Sequence, residues 1–193
     1  MERIYPAYLA KVQKNTDLVK DNPKTLGQLL NAEYLKALNS KSKKYTNLRK
    51  LPVRIFGSGD YIPEMFEMFK TFDFKFFIIS KTLTEPQMRP ELEKILALRN
   101  CSSVVLSFDT HNSKNWHLNT DLWKKPKIKF SFTGTHLDME MQKLANKTYT
   151  IFFNTGNKKV DKQASKAFKE RCPADTGEMK LQEACTKCHK CWI

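Results

Sequence analysis

Residues 51–69, LPVRIFGSGDYIPEMFEMF, change their hydrophobic period halfway along. Leu51 to Phe56 is a short apolar run of strand length, and Gly57, Ser58, Gly59 and Asp60 supply turn residues. From Ile62 the apolar positions Met65, Phe66, Met68 and Phe69 fall at helical spacing. A strand, a turn and a helix are therefore expected, and the unit recurs downstream. Phe74 to Ile79 ends in Ser80-Lys81-Thr82, with a helix expected over Pro90 to Leu98. Ser103 to Phe108 ends in Asp109-Thr110-His111 and leads into a polar loop carrying Trp116 and Trp123. Lys127 to Phe132 ends in Thr133 to His136 before a helical run, Leu137 to Ala145. Tyr149 to Phe153 ends in Asn154 to Asn157. Strands alternating with helices imply βαβ units, right-handed crossovers and a mainly parallel sheet. The expectation is an α/β fold with a five-stranded sheet. Five strands are too few for an eight-stranded barrel, so a small open sheet or a partial barrel remains.

Upstream, residues 1–40 read as a helical pair. Tyr8, Leu9 and Val12 recur at helical spacing in the first helix, and Leu26, Leu29, Leu30, Tyr34, Leu35 and Leu38 do so in the second, with Asn22-Pro23 between them. Asn39 to Tyr45 is polar and basic, a connecting loop. The α/β domain with these helices is placed at residues 1–170. A C-terminal four-cysteine module follows at residues 171–193.

That module reads RCPADTGEMKLQEACTKCHKCW and holds Cys172, Cys185, Cys188 and Cys191, four of the five cysteines. Thiols two residues apart converge on a small volume, which suits a shared metal better than disulfides closing useful loops. Three cysteines in C-x2-C-x2-C spacing with a remote Cys-Pro match a 4Fe-4S ligand run in reversed order, since each thiolate reaches a different iron. Zinc is the alternative, with His189 able to replace one sulfur. Cys101, alone after a helix, is expected to be a buried apolar residue.

The chain has 193 residues, 40% of them hydrophobic, and a formal charge of +14. No apolar stretch approaches the roughly 18 residues of a membrane span. The first fifteen residues, MERIYPAYLAKVQKN, lack the apolar segment of a secretory signal, so a cytoplasmic protein, not secreted, is expected. A strongly basic balance points to a polyanionic partner, nucleic acid or a nucleic-acid-associated complex, against the plainer reading of a solvating lysine surface. Lys41, Lys43 and Lys44, with Lys158, Lys159 and Lys162, are the candidate phosphate contacts.

In a parallel sheet the carboxyl ends of the strands gather on one edge, where ligands bind. There the expected residues are Ser58, Gly59, Asp60, Ser80, Lys81, Thr82, Asp109, His111, Thr133, Thr135, His136 and Asn154. Turn chemistry alone supplies many such groups. G-S-G-D at 57–60 lacks the spacing of a nucleotide fingerprint. His111 and His136 have no nucleophile or carboxylate coupled to them in a known motif, and plain strand-end roles are expected. Trp116 and Trp123, with Lys124 to Lys127, fit a single-strand binding surface or a loop closing over a core.

RIFGSGDYIPEMFE and CPADTGEMKLQEACTKCHKCW together resemble the phage gene 88 protein family, whose members resemble half of a radical-SAM barrel; the likeness runs from about Arg54 to Trp192. The resemblance implies a viral, phage-encoded protein of the host cytoplasm. It places Ser58, Gly59 and Asp60 at the amino-acid end of S-adenosylmethionine, and Cys172, Cys185, Cys188 and Cys191 at a terminal cluster. No cysteine precedes Cys101, so the C-x3-C-x2-C loop of radical-SAM enzymes is not found in this chain. A cube ligated by four cysteines has no open iron, and cleavage of the cofactor by this chain alone is not expected. An enzyme using the strand edge around Asp60, Lys81 and His136, with S-adenosylmethionine or a nucleotide, is the alternative to a binding protein.

Overall fold

The computed structural model describes residues 6–41, 51–55, 60–109, 112–132, 150–152, 159, 162, 166 and 170–171. Two helices open it, α1 (Pro6–Asp21) and α2 (Pro23–Asn39). Pro23 stands in the first turn of α2, where its missing N–H would be unpaired in any case. The Asn22 amide closes α1 on the Leu18 carbonyl at 3.1 Å, and the Asn22 carbonyl accepts from Leu26 at 3.0 Å to begin α2. One residue therefore serves both helices.

Strands β1 (Val53–Ile55), β2 (Phe76–Ser80), β3 (Cys101–Phe108) and β4 (Ile128–Phe132) form a parallel sheet in the order of the sequence. Short strands β5 (Thr150–Phe152) and β6 (Glu170–Arg171) continue it in the same direction. The first four match the expected runs. The two residues of β6 are too few to show a period, and the sequence reading has no strand there. Helix α3 (Met65–Phe69) links β1 to β2, and α4 (Arg89–Ala97) links β2 to β3 after two 3-10 turns, Thr82–Thr84 and Pro86–Met88.

A parallel strand has two faces, and here they differ in chemistry. The core face carries Phe76 and Ile78 from β2, Val104, Leu106 and Phe108 from β3, and Ile128, Phe130 and Phe132 from β4, all buried. Helices α3 and α4 cover it with Met65, Met68, Phe69, Leu92 and Ile95. Phe72 stacks on Phe74 at 4.5 Å and Phe108 on Phe132 at 5.3 Å. Each such side chain contributes about 1.5–3 kcal/mol through its burial, so this layer holds the domain together. The opposite face has Arg54, Phe77, Ile79, Ser103, Val105, Ser107, Lys129 and Ser131, by the alternation of the strands.

The helical pair is fixed by the same core. Leu26, Leu30 and Tyr34 pack on it from α2, and Tyr34 meets the Phe74 ring at 4.7 Å. Gly27 lets α2 approach α3 closely, because a β-carbon there would lie 2.9 Å from the Met68 carbonyl oxygen. Among the described residues no helix is long and apolar enough to cross a membrane.

Candidate functional site

Asp60 is the organising residue at the carboxyl end of β2. Its Oδ1 accepts from the Ser80 hydroxyl and, at 2.7 Å, from the Tyr61 amide. Its Oδ2 accepts from the amides of Lys81 at 3.0 Å and Thr82 at 2.9 Å. Ser80 Oγ in turn accepts from the Leu83 amide at 3.1 Å. A carboxylate can compensate several backbone N–H donors at once, so Asp60 shapes the turn that leaves β2. Asp60, Ser80, Lys81 and Thr82, all expected at the edge, are thus brought together.

The end of β3 adds the next layer. Lys81 Nζ makes an ion pair with Asp109 Oδ2, joining the ends of two neighbouring strands. Asn112 locks the turn after β3: its Oδ1 accepts from the Asp109 amide at 2.7 Å, while its Nδ2 donates to the Ser107 carbonyl at 2.9 Å and to Thr84 Oγ1 at 3.1 Å. Lys81, Thr82, Glu85, Asp109 and Asn112 surround an open depression of about 360 Å³. Ammonium, hydroxyl, amide and two carboxylate groups round one opening can orient a small polar ligand.

Behind the depression lies a network that sequence reasoning missed. The segment Ser113–Lys124 is a run of 3-10 turns, where a polar loop is expected. Asn119 Nδ2 donates to the Thr84 carbonyl at 3.0 Å and to the Asn115 carbonyl at 2.7 Å, and Asn115 Nδ2 donates to Glu85 Oε1 at 2.8 Å. Arg89 ties the same segment to α4 through Asp121 at 3.0 Å. The signal was the spacing of Asn112, Asn115 and Asn119, three and four residues apart, which puts their side chains on one side of a helical segment. Trp116 is buried, stacks on Trp123 at 5.6 Å, and faces the core; His117 and Leu118 are exposed. Of the two roles open to these tryptophans, closing over the core is the one observed.

Tyr61 is buried and its hydroxyl donates to Glu91 Oε2 at 2.8 Å. Burial, reinforced by the Glu91 carboxylate, raises the Tyr61 pKa well above the phenol range, so it stays a donor. Glu91 is held below the usual carboxylate range, first by the hydrogen bond from Lys94 and further by that from Tyr61, against the opposing effect of burial. Cys101 is buried and its thiol is pushed up to about 11 by desolvation, an inert apolar residue as expected.

Several expected site residues lie outside the described residues: Ser58 and Gly59, Lys43, Lys44 and Lys158, His111 and His136, and Cys172, Cys185, Cys188 and Cys191. Thr133, Thr135 and Asn154 do too. Among the described residues no three His, Cys, Asp or Glu side chains form a metal-holding group. Lys41 is exposed just past α2, and Lys159, Lys162 and Lys166 are helical and exposed. No protein-family model matches the chain, and no match is found among curated proteins or solved structures.

Proposed function

We propose that the protein is a basic, phage-type α/β metalloprotein that binds nucleic acid or a nucleic-acid-associated complex. Cys172, Cys185, Cys188 and Cys191 are its structural centre, a 4Fe-4S cluster or zinc. The observation that carries the binding reading is charge: +14 overall, with Lys159, Lys162 and Lys166 each exposed. The carboxyl-edge depression, with two carboxylates and one ammonium, is a poor phosphate track, so polyanion contact belongs to these lysines and Lys41. Sequential strand order with every pair parallel is how a barrel is wound, and we take the sheet as part of a radical-SAM-like partial barrel. Titration of a labelled single-stranded and a double-stranded oligonucleotide against salt tests the reading. About six phosphate contacts would weaken binding on the order of a thousandfold between about 50 and 200 mM salt. A flat titration, or no binding at low salt, rejects it.

A second reading rests on the depression at the ends of β2 and β3, the place where open parallel sheets hold ligands. Here the protein is a radical-SAM-like or nucleotide-dependent enzyme. Equilibrium dialysis with S-adenosylmethionine and with nucleotides separates it from the first: binding lost in Asp109→Asn and Lys81→Ala supports it, and retention on a polyanion column alone does not.

A further inference from the structure

The two ends of the sheet carry opposite charge. Around the carboxyl ends stand three carboxylates, Asp60, Glu85 and Asp109, and one ammonium, Lys81. The segments that enter β2, β3 and β4 at the amino ends, residues 73–75, 98–100 and 124–127, bring Lys75, Arg99, Lys124, Lys125 and Lys127 against a single carboxylate, Asp73. Backbone and side-chain bonds hold these segments side by side. The Phe76 amide donates to the Asn100 carbonyl at 2.9 Å, so Lys75 and Arg99 flank one bond between neighbouring strands. Lys127 Nζ donates to the Leu96 and Leu98 carbonyls at 3.0 and 3.1 Å, which draws the segment before β4 against the residue next to Arg99. Adjacent strands lie about 4.8 Å apart, so three strand starts make a basic strip roughly 10 Å across.

Parallel sheets ordinarily hold anions at their carboxyl ends, where helix N-termini point, whereas helix C-terminal carbonyls repel anions at the amino ends. In this chain those carbonyls already have donors. Asn100 Nδ2 donates to the Phe69 and Phe72 carbonyls at 3.1 and 2.9 Å behind α3, and Lys127 does the same behind α4. Asp73 accepts from Asn31 Nδ2 at 3.0 Å, and Glu93 pairs with Lys125. Lys75, Arg99 and Lys124 are left exposed, with no hydrogen bond or ion pair among the described residues.

We propose that Lys75, Arg99 and Lys124 form a contact surface for the phosphate backbone of nucleic acid. The proposal rests on the nucleic-acid reading above and adds a surface on the folded sheet to the lysines named there. Cations spread over neighbouring strand starts, in the open, suit a chain of phosphates better than a single small anion, which is held in a concave pocket. A lipid surface fits less well. It takes apolar anchors beside the charge, and the exposed large hydrophobic residues, Leu18, Leu29, Leu35 and Leu118, lie on other segments.

Binding of a labelled oligonucleotide to the full chain, followed by fluorescence anisotropy across a salt series, tests it. The variant Lys75→Gln/Arg99→Gln/Lys124→Gln is compared with the parent and with a control of equal charge change on the helical pair, Lys14→Gln/Lys20→Gln/Lys36→Gln. Each lost contact with duplex DNA lowers the slope of log affinity against log salt by about 0.9, so the first variant should lose nearly three in slope and at least about tenfold in affinity near 100 mM salt. The control should keep the parent's slope. All three residues are exposed, and an unchanged urea midpoint checks the fold; if the triple variant does not fold, Lys75→Gln and Arg99→Gln singly should each lower the slope by about 0.9. Parent-like binding by the first variant overturns this proposal and leaves the nucleic-acid reading standing. An equal loss in the control overturns it too, because the effect is then one of overall charge. A parent that binds no oligonucleotide, whether or not it binds anionic vesicles, removes the reading and this surface together.

Discussion

Asp60 and Glu91 show what single carboxylates do in this chain. With four donors on two oxygens, Asp60 fixes the β2 exit through which Lys81 and Thr82 reach the depression. Asp60→Ala should cost about 2 kcal/mol in urea unfolding, the loss of charge-assisted bonds moderated by water at the half-exposed turn. Asp60→Asn should recover only part of that loss, because its NH2 group cannot accept from an amide. Glu91 has a pH signature. Its folded pKa is depressed, so its contribution is present above the ordinary glutamate value of about 4.3 and is lost as pH falls through the lowered folded value. Glu91→Gln should therefore be less stable than the parent at pH near 7, with the gap closing in acid. An equal gap at both pH values would show that Glu91 acts by packing alone. Asp60 was legible as a strand-end residue, because a Gly-Ser-Gly-Asp turn after an apolar run puts it there. Glu91 was not, because its partners are Lys94, one turn along α4, and Tyr61, thirty residues away.

At the scale of elements, the approach of α2 to α3 turns on one glycine. A β-carbon at residue 27 would overlap Thr71 Oγ1 and lie 2.9 Å from the Met68 carbonyl oxygen, and the second contact is backbone and cannot rotate aside. Gly27→Ala gains about 1 kcal/mol of helix propensity and loses about 1–3 kcal/mol to overpacking. A net loss of stability is expected in thermal unfolding, partly recovered when Thr71→Ala is added. Net stabilisation would mean that α2 does not depend on this close contact with α3. The 3-10 segment Ser113–Lys124 makes the complementary point. Its composition reads as a loop, and what turns it into an ordered layer is long-range: Trp116 and Leu122 buried, Asn119 on the Thr84 carbonyl, Arg89 on Asp121. Local pattern cannot foresee bonds made across thirty residues.

For the whole molecule, the proposed four-thiolate centre makes folding and metal content one measurement. If Cys172, Cys185, Cys188 and Cys191 share a centre, Cys188→Ser should lose bound metal and lower the thermal midpoint, because metal binding to a site that exists only in the folded chain contributes to folding. Anaerobically purified protein should show about four iron and four sulfide per chain with broad visible absorbance, or one zinc without it. No metal of either kind would leave the cysteines without the proposed role. Alternation of apolar runs with helical periods determined the α/β class, the parallel direction, the positions of β1 to β4 and the helical pair by itself, because each is a local pattern of burial along the chain. Composition determined the charge. The tertiary structure alone decided that the strands lie side by side in sequence order, that Lys81 meets Asp109, and that Trp116 faces inward. It also decided that the face opposite the core mixes Phe77, Ile79 and Val105 with Arg54, Ser103, Ser107, Lys129 and Ser131. These depend on which strands become neighbours and in what register, and a one-residue shift in register would exchange the two faces of a strand without changing a letter of the sequence.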